Sequence, residues 1–227
     1  MRRWTPVALA ASATLAVGGC GVADSGPPTV PVTFSITTTT PTSTVPTPTS
    51  KASIGPDGIP VETGPFLAAA TTTRLGRLVN NIQCQSLAQL AYTTYAHLQV
   101  YVDGRSRALP GGIGMVGATT HPAPRGLVFA AHTCMYWLHT RAADGLISVE
   151  SPVPRQYTLG DFFRIWNQPL GTDRVADARG PVTATVNGKR WPGDPAAIPL
   201  SEHADIDLAV GRPLPTPTSV DWAATDL

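Results

Sequence analysis

CMYWLHTRAADGLISVESPVPRQYTLGDFFRIW, residues 134–166, decides the fold, because its hydrophobic period changes midway. CMYWLHT and GLISVES read as strands, joined by RAAD with a turn signature at Asp144-Gly145. The period then lengthens. Leu159, Phe162, Phe163 and Trp166 follow i, i+3, i+4, i+7 spacing, which makes one broad apolar stripe on a helix. Thr158 before that stripe and Asp161 three residues on form a capping-box pattern at its start. Downstream, VTATVNGKRW is a hairpin around Asn187-Gly188, and IDLAVG is a last strand. The order from Cys134 is strand, strand, helix, strand, short strand, strand. The expected class is α+β: a mixed sheet with one main amphipathic helix packed on a face, similar in element order to the β-grasp.

Working upstream, YAHLQVYVDGRSRALP alternates with period two. Ala96, Leu98, Val100 and Val102 share one face, and Tyr95, His97, Gln99 and Tyr101 the other. Asp103-Gly104 suits a tight turn. A short helix near residues 86–91 is expected before it. Cys84 and Cys134 are the two cysteines inside this region, and no C-x-x-C spacing points to a redox or zinc site. Two cysteines in an exported domain pair most simply as a disulfide, tying the upstream segment to the 134–140 strand.

The chain has 227 residues and a formal net charge of +1, with no basic patch, so a nucleic-acid partner is not expected. Residues 1–19 read as a signal peptide: Arg2 and Arg3 precede an apolar run, Val7 to Val17, too short to span a bilayer as a helix. Val17-Gly18-Gly19-Cys20 resembles a bacterial lipobox, which implies cleavage before Cys20 and a lipid on its thiol. Residues 21–50 hold ten threonines, six prolines and a single charge, Asp24. Such a stretch cannot bury enough apolar surface to order itself, and its prolines favour an extended spacer. The organisation expected is therefore a signal peptide (1–19), a lipidated cysteine and Thr/Ser/Pro linker (20–63), one domain (64–212) and a flexible tail (213–227) in which Trp222 alone is a candidate to dock. The expected location is the outer side of the cell membrane, held by the lipid.

The five histidines, His97, His121, His132, His139 and His203, show no H-x-H or H-E-x-x-H spacing. His121 reads as part of a loop, TTHPAPRG, and His203 as part of a turn. His132 reads as the start of a strand. His97 and His139 fall within strands, on faces that could meet, and are the candidate metal ligands for copper or zinc. Asp144 and Glu150 are the candidate carboxylate pair, but as turn and strand-end residues they read as solvated. PGGIGM reads as a turn. With no G-x-S-x-G, P-loop or G-x-G-x-x-G, no catalytic set is visible and no cofactor is expected.

CQSLAQLAYTTYAHLQVYVDGRSRALPGGIGM, CMYWLHTRAADGLISVESP and YTLGDFFRIWNQPLG together resemble a family of exported, largely actinobacterial lipoproteins and secreted proteins with no established activity. That resemblance implies a histidine-rich first segment at positions 93, 95 and 97, and further histidines at 139, 141 and 148. This chain keeps His97 and His139 but carries Thr93, Tyr95, Arg141 and Ser148. Arg141, a permanent cation, would repel a metal. The expected function is accordingly a non-catalytic envelope module that binds a ligand or protein. The alternative is a copper- or zinc-binding envelope protein with a partly degraded histidine site.

Overall fold

The computed structural model describes residues 53–227 except Gln89 and Asp226. The expected signal peptide, Cys20 and most of the expected linker lie outside the described residues.

In chain order the strands are β1 (Cys84–Gln85), β2 (Tyr92–Val102), β3 (Arg105–Arg107), β4 (Met115–Ala123), β5 (Gly126–Tyr136), β6 (Leu138–His139) and β7 (Leu146–Ser151). The helix α1 (Leu159–Trp166) follows, then β8 (Arg174–Val175), β9 (Ala178–Arg179), β10 (Val182–Val186), β11 (Lys189–Arg190) and β12 (Ala204–Val210). The main sheet runs β11-β10-β12-β2-β7-β6, with β3 folded back on the end of β2. β2 and β12 pair in parallel at its centre, and the other pairings are antiparallel.

The α+β class with a mixed sheet is what the sequence led us to expect. Strand order and directions also follow the β-grasp: the β2/β7 pair, then α1, then β10 and β11, with β12 returning beside β2. The first strand of that pattern is β2 rather than 134–140. The chain between β2 and β7 builds a separate three-stranded sheet, β1-β5-β4. The CMYWLHT strand is split between the two sheets. Its first half ends β5, and Leu138-His139 starts again at the edge of the main sheet.

α1 begins as its sequence dictates. Thr158 accepts from the backbone N–H of Asp161, and the Asp161 side chain accepts from the backbone N–H of Thr158. Asn167 in a left-handed conformation ends the helix. Phe162, Phe163 and Trp166 pack against one another with ring centroids 5.5–6.1 Å apart. They cover the sheet face that carries Ala96, Leu98, Val100, Ile147, Val149, Ile206 and Leu208, all fully buried.

Cys84 and Cys134 are bonded, with an S–S distance of 2.05 Å and Cα atoms 5.4 Å apart. The short helix expected near 86–91 is absent from the described residues there. Leu87 and Leu90 are 76% and 69% exposed, so no apolar face is available to dock such a helix. TTHPAPRG, expected as a loop, is the end of β4 and its turn into β5.

Candidate functional site

Alternation on β2 and its neighbours puts polar side chains on the sheet face opposite α1. Register sets them in rows. Tyr95 stands opposite Ser148, and Ser148 opposite His139. One step along, His97 lies between Leu146 and Asp205, and Gln99 beside Asp207. This face is not open to water. His97 is 6% exposed, His139 0%, Asp207 4% and Asp205 7%.

His97 and His139 thus share a face but not a site. β7 runs between their strands, which separates them by about 10 Å at the usual strand spacing. Among the described residues no group of three or more His, Cys, Asp or Glu is placed to hold a metal.

His139 belongs to a cleft of about 290 Å³ between the β4–β5 hairpin and the main sheet, lined also by Met115, Phe129, Met135, Arg141 and Glu150. Its Nδ1 lies 3.1 Å from the Tyr136 carbonyl oxygen, so in the neutral ring Nδ1 carries the proton and donates it there. Nε2 is left as a buried acceptor without a hydrogen-bond partner, 3.9 Å from a Glu150 carboxylate oxygen. Burial lowers the His139 pKa to about 4, with the Tyr136 carbonyl opposing and the Arg141 charge adding. Burial raises the Glu150 pKa, and Arg141 lowers it. A neutral imidazole therefore faces a carboxyl group and an exposed guanidinium. Glu150 does not lie at a solvated edge: β6 pairs outside β7 and leaves it 9% exposed. Positions 95, 139, 141 and 148, where the resemblance implies histidines, gather around this cleft. Arg141 lines it, and the other three form one cross-strand row.

Two segments that were read as linker and tail close the rest of the polar face. Residues 53–63 pass over the β6–β7 turn, where the Glu62 N–H donates to the Ala143 carbonyl oxygen at 3.1 Å. Ile59 is fully buried. From the other end, Thr218 donates from its N–H and its hydroxyl to the Asp207 carboxylate, at 3.1 and 2.6 Å. The Val220 N–H and Trp222 Nε1 each donate to Asp205 at 3.2 Å. Trp222 stacks on His203, with ring centroids 4.6 Å apart.

Beneath these segments Asp144 is fully buried, not solvated in its turn. One of its oxygens accepts from the Leu146 N–H at 3.2 Å, and the other has no partner. Glu62 accepts from the Leu109 N–H with one oxygen and buries the other unpaired. Burial raises the Glu62 pKa to about 8, with Leu109 opposing and the Asp144 charge adding. Asp144 is raised to about 7 by burial, with Asp57 adding. His97 is pushed down to about 4 by burial, against a hydrogen bond to the Asp144 backbone. Glu62, His97, Gln99 and Thr218 line a second cavity, of about 310 Å³. Glu62 escaped the sequence reading because it sits in IGPDGIPVETGP, a turn-rich stretch continuous with the linker.

His121 and His132 lie on the exposed β4–β5 ribbon, away from both cavities. No family model, curated protein or solved structure matches this chain.

Proposed function

We propose that the protein is a cell-envelope lipoprotein, held by a lipid on Cys20, whose α+β domain binds a small envelope ligand without turning it over. The observation that carries this reading is the cleft at His139, Arg141 and Glu150. A ring nitrogen with no partner, a carboxyl group and a guanidinium meet there against a wall of Met115, Phe129 and Met135. Such a site suits a ligand with an anionic group for Arg141, donors for His139 and Glu150, and an apolar body. The lipobox-like VGGC and the Thr/Pro spacer support the surface location.

The test of binding is native mass spectrometry on protein purified from its own envelope. A small molecule retained by the wild type and lost from Arg141→Ala/Glu150→Ala is expected. Identical spectra for both would count against the cleft. For the anchor, Cys20→Ser is expected to move the protein from the detergent phase to the aqueous phase in Triton X-114 partitioning. Unchanged partitioning would remove the lipid.

A further inference from the structure

The second cavity lies on the same sheet face but has a different chemistry. Pro60, Glu62, His97, Gln99, Tyr101 and Val220 are among its walls. Its volume of about 310 Å³ falls at the lower end of the range for small-molecule sites. Its buried polar atoms without a partner are His97 Nδ1 and one Glu62 oxygen. The proton on His97 is committed to the Asp144 carbonyl, which leaves Nδ1 as a bare acceptor on a side chain 6% exposed. One Glu62 oxygen is taken by Leu109 N–H and the other is unpaired. The Gln99 amide N–H groups reach Ser106 Oγ at 3.0 Å and the Val100 carbonyl at 3.4 Å. The Thr218 hydroxyl proton is donated to Asp207. The Thr63, Tyr101, Ser106 and Ser219 hydroxyls of the wall can donate or accept.

No Lys or Arg lines this space, whereas Asp144 and Asp57 stand behind Glu62, and Asp205 and Asp207 flank it on β12. An anion is therefore disfavoured. A metal ion lacks its ligand set among the described residues. A buried acceptor without a donor is costly, and a ligand that brings several N–H groups satisfies it. A positive charge on that ligand also favours the ionised form of Glu62, which burial alone holds protonated. The chain also keeps this spot narrow. A Cβ at Gly145 would stand 2.8 Å from His97 Nε2 and 3.0 Å from the unpaired Glu62 oxygen.

We propose that this cavity is a second binding site, for a primary alkylammonium group: its N–H donors on Glu62 and His97, its stem against Pro60, Tyr101 and Val220. A free amine and a lysine side chain share this chemistry. The site is independent of the Arg141 cleft.

The experiment is calorimetric titration of the full chain with butylammonium chloride, with 1-butanol and Nα-acetyl-lysine amide as parallel probes. Saturable butylammonium binding in the millimolar range or tighter is expected, with none for 1-butanol. Glu62→Gln keeps an acceptor for Leu109 N–H and should weaken binding about tenfold or more. Arg141→Ala should leave it unchanged. Backbone N–H shifts on the wild type, centred on Glu62, His97 and Thr218, locate the site without relying on any variant's folding. Tighter binding of the lysine amide would identify a peptide side chain as the source, and weaker binding a free amine. Three results would each overturn the proposal: no saturable binding, equal binding of 1-butanol, or shifts centred on Arg141 and Glu150.

Discussion

Glu62 and Asp144 are acids that the fold holds out of water, and His97 and His139 are bases treated the same way. Their effects on stability have opposite signs. With pKa values of about 8 and about 7 in the folded state, the two carboxyls keep protons that the unfolded chain releases near pH 4. They therefore erode stability as pH rises from about 4 through 8. The two histidines, near 4 when folded, refuse protons that the unfolded chain accepts below its ordinary value of 6.5. They erode stability as pH falls from 6.5 through 4. Between about 4 and 6.5 the two pairs oppose each other, and above 6.5 the carboxyls act alone. The urea midpoint is thus expected to fall from pH 6.5 to pH 8.5, and Glu62→Gln should recover about 2 kcal/mol of that loss. A wild-type midpoint flat across that range would contradict the burial of these acids. Little of this was legible in the sequence. Asp144-Gly145 is a turn signature whether or not another segment covers the turn, and the covering segment comes from more than eighty residues upstream.

Among the elements, α1 was the most legible, because its signals are local: a cap, a partner three residues on, and a stripe with one period. Thr158→Ala is expected to cost about 1 kcal/mol, and Trp166→Ala, which empties a fully buried site, about 3–5 kcal/mol, both read from urea unfolding. If the Trp166 variant lost less than the Thr158 variant, the placement of the core would be wrong. The β4–β5 hairpin was the least legible. Alternation appears in a sequence only where one face is buried and the other is not. From Gly117 to Pro122, β4 is exposed on both faces, so VGATTHPA carries no period to read. The disulfide holds β1 to this hairpin and closes a loop of 50 residues. Replacing both cysteines by serine should cost about 4 kcal/mol in the chain-entropy view and speed amide exchange at Cys84 and Gln85. Unchanged exchange there would show that pairing with β5 suffices without the bond.

For the whole molecule, the boundaries were harder to read than the interior. Residues 53–63 and 217–222 have the Pro, Gly and Thr content of linkers, yet both pack on the polar face: the first covers the turn that holds Asp144, and the second supplies hydrogen bonds to Asp205 and Asp207, to which the sheet adds Thr185 on Asp207. Removing residues 215–227 is expected to lower the Tm by about 5 °C, through the lost hydrogen bonds to the two aspartates and the lost Trp222 stacking. An unchanged Tm would mean that the tail rests on the sheet without stabilising it. The central parallel pair has a consequence for the order of events during synthesis. β2 ends at Val102 and β12 begins at Ala204, about a hundred residues later. Until those residues leave the ribosome, β2 lacks its parallel neighbour and the helix-facing side of the sheet is incomplete. The long-range pairing also imposes a large loop-closure cost. A nascent chain cut short before residue 204 is thus left without its middle, and the fold closes only once nearly all of its length has been made.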